Sequence, residues 1–192
     1  MSELSVGQLR GLTVNSNVIT VPAGHTLYAP GHVVQVVSAT KTDVFSASVA
    51  AGAFGDITGL SATITPRFAT SKILLMAQVS GAVAQLAVGP GPRYRFMRNA
   101  TAIGLGDAAG SRTPGSFSGL GSVAGDELES MITYSGTFLD SPATTSAITY
   151  SIQVGHRSAG AATVLVNRSR ADVDNVRTDR NISTITLMEI AQ

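Results

Sequence analysis

Few residues in this chain have the types and spacings that suggest chemistry, and each set fails on its pattern. His25, His32 and His156 are the three histidines, and their spacings match no zinc motif. Each follows a glycine at or near a strand end, where an imidazole ordinarily bonds to backbone. Only a threefold axis, with His32 or His156 supplied once by each subunit, would gather them around an ion. The stretch "DVDN" at 172–175, with Asp179 beyond, resembles part of a calcium loop. The pattern D-x-[DN]-x-[DN]-G breaks at Val176 and Arg177, so a self-compensating turn of Asp and Arg is expected instead. "GLGDAAG" at 104–110 and "GLGSVAG" at 119–125 are one residue too long for a dinucleotide fingerprint, and no βαβ pattern surrounds them. "GSFSG" at 115–119 puts Phe117 where a nucleophile elbow needs serine.

There is no cysteine, which excludes disulfides, thiol catalysis and thiolate metal sites. No carboxylate pair, triad or metal set remains. The expectation is a non-enzymatic protein with no cofactor and no metal. Arg93, Arg95 and Arg98 beside Tyr94 and Phe96 form a basic-aromatic cluster of the kind that grips single-stranded nucleic acid. Strand alternation splits it, with Arg93 and Arg95 on one side and the two aromatics in the core on the other. The net charge of +1 also argues against nucleic acid as a partner. The triplets "NAT" at 99, "NRS" at 167 and "NIS" at 181 match a glycosylation sequon but read as turn asparagines.

The elements that must carry these residues are strands. "HVVQVVSAT", "DVFSASVA", "LSATITP", "SKILLMAQVSG", "RYRFMRN", "TAIGLGD", "LESMITYSGTFLD", "AATVLVNRS" and "STITLMEIA" follow one another from residue 32 to 191, separated by Gly, Pro, Asn, Asp and Ser clusters. Apolar spacing of three and four never persists; "GDELESMI" at 125–132 reaches one helical turn at most. This is the pattern of an all-β antiparallel sandwich of about eight or nine strands. The Gly/Ser-rich stretch 104–125 is long for a compact domain and is expected to stand out as an exposed excursion. The start, "MSELSVGQLR", lacks the basic and apolar regions of a signal peptide, and no apolar run approaches the ~20 residues of a membrane span, so no membrane insertion is expected.

Charged residues make up 13% of the chain, about half the usual ~25%. Lys41 and Lys72 are its two lysines. A soluble chain so poor in charge is expected to hide much of its surface in subunit contacts. Residues 138–155, "FLDSPATTSAITYSIQVG", show the pattern at its plainest, with Asp140 as the one charge in eighteen residues. Ile148, Tyr150, Ile152 and Val154 alternate there with Thr149, Ser151 and Gln153. A wet face of hydroxyls and an amide suggests a sister subunit. Thr149, Ser151 and Gln153 would then bond across the axis, or Tyr150 would meet it from the opposite face.

Several stretches carry a family resemblance. They are "GHVVQVVSATKTDVFS" at 31–46, "GLSATITPRFATSKILLMAQVSG" at 59–81, "FMRNATAIGLGDAAGSRT" at 96–113, "FLDSPATTSAITYSIQV" at 138–154 and "STITLMEIA" at 183–191. Over residues 31–192 the chain resembles small virion proteins of tailed bacteriophages, of the tail-fibre, head-fibre and capsid-decoration types. The resemblance implies a trimeric jelly-roll head of the tumour-necrosis-factor kind at 32–192. It implies an N-terminal virion-attachment extension at 1–31, with Val18, Ile19, Val21, Leu27 and Tyr28 as docking residues. The partners would be the chain itself as a homotrimer, other capsid or tail proteins, and a host surface receptor or glycan. Arg112, Phe117, Asp172, Asp174 and Arg177 would face outward on head loops. A capsid cement role is the main alternative, and a soluble carbohydrate-binding jelly roll, which would want clustered exposed aromatics, is the less favoured one.

Overall fold

The computed structural model describes residues 21–23, 25, 27–84, 91–120, 129 and 131–192. Eleven strands run through them: β1 (Val33–Lys41), β2 (Phe45–Val49), β3 (Gly55–Ile64), β4 (Lys72–Val83), β5 (Pro92–Arg98), β6 (Thr101–Ile103), β7 (Phe117–Ser118), β8 (Ile132–Asp140), β9 (Ile148–His156), β10 (Ala162–Val166) and β11 (Ser183–Ile190). Among the described residues there is no helix. The short β7, within the Gly/Ser-rich stretch, is the one strand with no counterpart among the runs read from the sequence.

All pairings are antiparallel and build two sheets. The six-stranded sheet runs β1-β11-β4-β10-β2, with β8 on the far edge of β4; the five-stranded sheet runs β3-β9-β5-β6, with β7 beside β6 on β5. One edge of the long β4 pairs first with β11, at residues 72–78, and then with β10, at residues 81–83. The sheets are thus each four strands wide: β1/β2, β11/β10, β4 and β8 face β3, β9, β5 and β6/β7. This is the strand order of a jelly roll, in which two Greek keys wrap around one core.

Alternation explains the core. Ile73, Leu75, Ala77 and Val79 of β4 meet Ile148, Tyr150, Ile152 and Val154 of β9, all 4% exposed or less, with Ile185 and Leu187 beside them. Phe117 of β7 reaches in as well, with its ring centroid 5.0 Å from Tyr94 and 5.4 Å from Phe96. Gly136 on the facing strand makes this possible, because a Cβ there would stand 2.3 Å from the Phe117 ring.

Polar groups inside the sandwich sit where elements break. Asn167 follows β10 in the left-handed region at φ 61° and is fully buried. Its amide donates to the carbonyls of Lys41 and Asp43, each at 2.9 Å. Its Oδ1 accepts from Ser183 Oγ at 2.6 Å, and that hydroxyl accepts from Ser80 N–H at 3.1 Å. One side chain thus joins the β1/β2 break to the β10/β11 break. Asn99, also at positive φ, closes the β5–β6 turn and accepts Thr149 N–H at 3.0 Å. Two of the three sequon asparagines are therefore turn residues, as the sequence suggested. At the other end of the sandwich, buried Glu189 accepts from Gln35 Nε2 (2.6 Å) and from the N–H groups of Arg67 (2.8 Å) and Phe68 (3.2 Å).

The two sheets are clamped by Asp140, 6% exposed at the end of β8. Its carboxylate accepts Arg98 Nη1 at 3.0 and 3.1 Å, and the Tyr150 hydroxyl at 2.7 Å. Both donors come from the opposite sheet. Burial first, and then the bond to Asp140, push the Tyr150 phenol well above its usual pKa.

Replacing Asn167 by alanine would strand the carbonyls of Lys41 and Asp43 and the buried Ser183 hydroxyl. Asn167→Ala is expected to lower stability by about 3 kcal/mol, from unsatisfied groups costing about 1–3 kcal/mol each with partial relaxation. Urea unfolding followed by circular dichroism would check this; a loss below about 1 kcal/mol would remove the corner from the account.

Candidate functional site

The outward residues of the six-stranded sheet line up in rows across β1, β11, β4 and β8. One row is Val36, Met188, Leu74 and Leu139; the next is Ser38, Thr186, Met76 and Thr137; the third is Thr40, Thr184, Gln78 and Ser135. None of these twelve is charged. Val36 is 55% exposed and Leu139 45%. The neutral surface continues over Ser46 and Ser48 of β2 and Thr163 of β10, while Lys72 stands at its rim beside Ile190. An apolar row flanked by hydroxyls on an open sheet face is unusual for a surface that meets only water. It can bury its apolar atoms and still satisfy its hydroxyls against a like surface.

The five-stranded sheet presents a different outer face. Arg95 Nε donates to Gln153 Oε1 at 2.8 Å, Gln153 Nε2 donates to Asp56 Oδ1 at 2.8 Å, and the Arg95 guanidinium lies 4.2 Å from the Phe54 ring centroid. Thr63 and Thr149 share a hydroxyl bond of 2.8 Å. Of the four residues expected at a subunit axis, Thr149 and Gln153 are thus already partnered within their own sheet, and Ser151 lies between them on that face. Tyr150 has no surface at all: it is fully buried, with its hydroxyl on Asp140. The alternative with Tyr150 on an axis is therefore corrected, because its side chain is core.

No protein-family model matches the chain, and no curated protein matches it. Solved structures of infectious bursal disease virus do align with it. The Gx strain structure gives a TM-score of 0.39 at 10% identity, over 91% of this chain and 46% of that one. The VP2 subviral particle of the same virus gives 0.39 at 10% identity, over 91% of this chain and 42% of that one. The chain spans less than half the length of these proteins.

Val18 and Ile19 lie outside the described residues. Val21, Leu27 and Tyr28 are exposed, at 42%, 54% and 51%, and Val21 belongs to no strand. Tyr28 sits edge-on to Phe68 at 4.8 Å and donates its hydroxyl to the Gln192 carbonyl, so this stretch lies along the end of β11. His156 is buried; its Nδ1 accepts Ser158 N–H at 3.1 Å, leaving Nε2–H to donate to the Val49 carbonyl at 2.7 Å. Both ring nitrogens are used on the protomer itself. His32 is exposed, and no metal cluster is found among the described residues. Asp172 is paired with Arg168 at 3.2 Å and Arg180 at 2.5 Å, the self-compensation expected of this turn, whereas Arg177 pairs outside the turn, with Glu129 at 2.8 Å. Asp174 and Arg112 are exposed, but Phe117 is not a contact residue on a loop: its ring belongs to the core edge.

The described part of the long loop, 104–120, is exposed over 105–112 and then returns to the sheet through β7. Ser116 Oγ fixes that return by accepting Phe96 N–H at 3.0 Å and donating to the Ile103 carbonyl at 3.1 Å. Beyond it, the Tyr134 hydroxyl donates to the Leu120 carbonyl at 2.5 Å. Burial pushes the Tyr134 phenol up to about 12, against an opposing pull from the charge of Arg157. An unfolded tyrosine ionises near 10. Between those values the folded chain therefore holds the extra proton, and stability falls as pH rises. The urea midpoint is expected to drop from pH 10 to 12, and less steeply in Tyr134→Phe. Equal slopes in the two proteins would show that Tyr134 does not carry the effect.

Proposed function

We propose that this chain is a non-enzymatic structural protein of a virion, assembled as a homotrimer through the outer face of its six-stranded sheet. The observation that carries the reading is the run of three uncharged rows on that face. A second copy is the occupant it suits, because a neutral surface of methyls, thioethers and hydroxyls is complementary to itself and offers no charge for a charged partner. The sequence resemblance to phage fibre and decoration proteins supplies the threefold symmetry and the virion setting. In this arrangement Leu27 and Tyr28 belong to the particle-docking end. The loops bearing Arg112 and residues 172–180 turn outward, toward neighbouring virion proteins or a host surface.

The trimer would sediment at about 59 kDa, three times the 19.6 kDa chain. A folded monomer at micromolar concentration would overturn the oligomer. Leu74→Glu puts a carboxylate in the middle of the apolar row, where burial without a partner costs several kcal/mol. It is expected to give monomers with an unchanged circular dichroism spectrum, and a stable trimer in this variant would move the interface elsewhere. Immunogold labelling of intact particles separates a tail appendage from a capsid decoration protein. Absence of label from every part of the particle would remove the virion reading.

A further inference from the structure

At the His156 end of the five-stranded sheet, a cavity of about 340 Å³ opens between β5, β7 and the residues that follow β9. Its walls hold three arginines, Arg93, Arg112 and Arg157, with Thr113 and Ser118 between them. No carboxylate is among its described lining residues. The pairing of Pro92 with His156 brings Arg93 and Arg157 together, from strands distant in sequence.

Arg93 is held in an unusual way. It is partly buried, its Nε is shut off from solvent with no hydrogen-bond partner, and its Nη1 has one long contact, 3.4 Å, to the Thr113 carbonyl. Burial, and then the neighbouring charge of Arg157, draw its pKa below the usual value. Arg157 donates Nη2 to the Gly119 carbonyl at 2.9 Å, which aims its guanidinium along the same wall. Exposed Arg112 is at the mouth, its Nη1 3.3 Å from the Ala109 carbonyl. Arg93 thus presents its Nη groups beside a second like charge, with one long hydrogen bond and no carboxylate among the described lining residues, and these groups suit the partner that guanidinium forks match best, a planar or tetrahedral oxyanion. The cavity has room for about ten waters at ~30 Å³ each, more than a bare anion fills.

We propose that this cleft is a binding site for an oxyanion carried on a saccharide, with Arg93 and Arg157 gripping the acidic group, Arg112 closing over it, and Thr113 and Ser118 meeting sugar hydroxyls. The site rests on local geometry and does not involve the neutral sheet face, so the oligomer reading and this one fail independently.

The test is calorimetric titration of the full chain with sodium glucuronate, glucose and sodium sulfate at constant ionic strength. Glucuronate is expected to bind with a Kd of about 1 mM, typical of a small polar ligand, and glucose not measurably. Sulfate is expected to bind more weakly than glucuronate. Equal binding of sulfate would keep the oxyanion site and overturn the saccharide. Equal binding of glucose, or no binding by either anion, would overturn the site. Arg93→Gln is expected to weaken glucuronate at least about tenfold, the loss of one charge-assisted contact. Arg112→Ala, on an exposed loop, gives the same test without risk to the core and is expected to weaken binding about threefold. Arg67→Ala, at the opposite end of the sandwich, is expected to change nothing. Undiminished binding in both Arg93→Gln and Arg112→Ala would place the ligand elsewhere and overturn the assignment.

Discussion

Asp140 is the only charge in residues 138–155, and it is buried between the sheets with Arg98 and Tyr150 on its two oxygens. A buried carboxylate without partners would be severely destabilising, so this contact allows one arrangement of the chain. Because side chains alternate, holding Asp140 inward forces Leu139, Thr137 and Ser135 outward on β8. Holding Tyr150 inward likewise forces Thr149, Ser151 and Gln153 onto the other sheet's outer face. A slip of one residue on either strand would expose the core set and break the clamp together. Both outer faces of the protein are therefore fixed by one polar contact inside it.

The consequences differ on the two sides. On the five-stranded sheet, Asp56, Gln153 and Arg95 fall side by side and satisfy one another, with Arg95 lying on Phe54. On the six-stranded sheet, the same alternation lines up Val36, Met188, Leu74 and Leu139 with no charge among them. The low charge of the composition is thus not spread evenly. It is concentrated as an absence on one face, while arginines gather on β5, around the Arg93 cleft and in the 168–180 turn. In the proposed assembly hydroxyls would suit a face that is wet before association and dry after it, since each can exchange a water for a neighbour at small cost.

Most strands were legible because alternation is a local property: Ile148 to Val154 and Ile73 to Val79 read as strands without any partner in view. β7 was not, since two residues in a Gly/Ser-rich loop carry no period. What makes them a strand is distant, the space above Gly136 and the rings of Tyr94 and Phe96. The same limit governs the sites. The sequence shows that Gln153 faces outward, but not that Asp56, 97 residues away, stands at its height with a free oxygen. It shows neutral positions on four separate strands, but only the register of β1, β11, β4 and β8 stacks them into rows. Arg93 and Arg157 are unremarkable apart and become a pair only through the pairing of β5 with β9.

The other charges kept inside follow the rule set by Asp140. Glu189 collects Gln35 and the N–H groups of Arg67 and Phe68 where β3 turns into β4. Lys41, with its side chain 3% exposed, reaches Asp43 at 2.8 Å across the bend between β1 and β2, and this bond holds the Asp43 carboxyl below its usual pKa. Each is placed where the sheet breaks off and backbone groups would otherwise lack partners. None lies in the middle of a sheet face. Buried charge in this protein acts as a fastening at ends and bends, and the broad outer face of the six-stranded sheet is left neutral. A lone jelly roll gains nothing from that distribution, because a charged face keeps a monomer soluble at no cost to its core. The arrangement becomes advantageous once the face is covered, where each charge left on it would have to be desolvated or paired. The internal fastening and the external neutrality are therefore two sides of one constraint, and the proposed association between copies is a condition under which both would be useful.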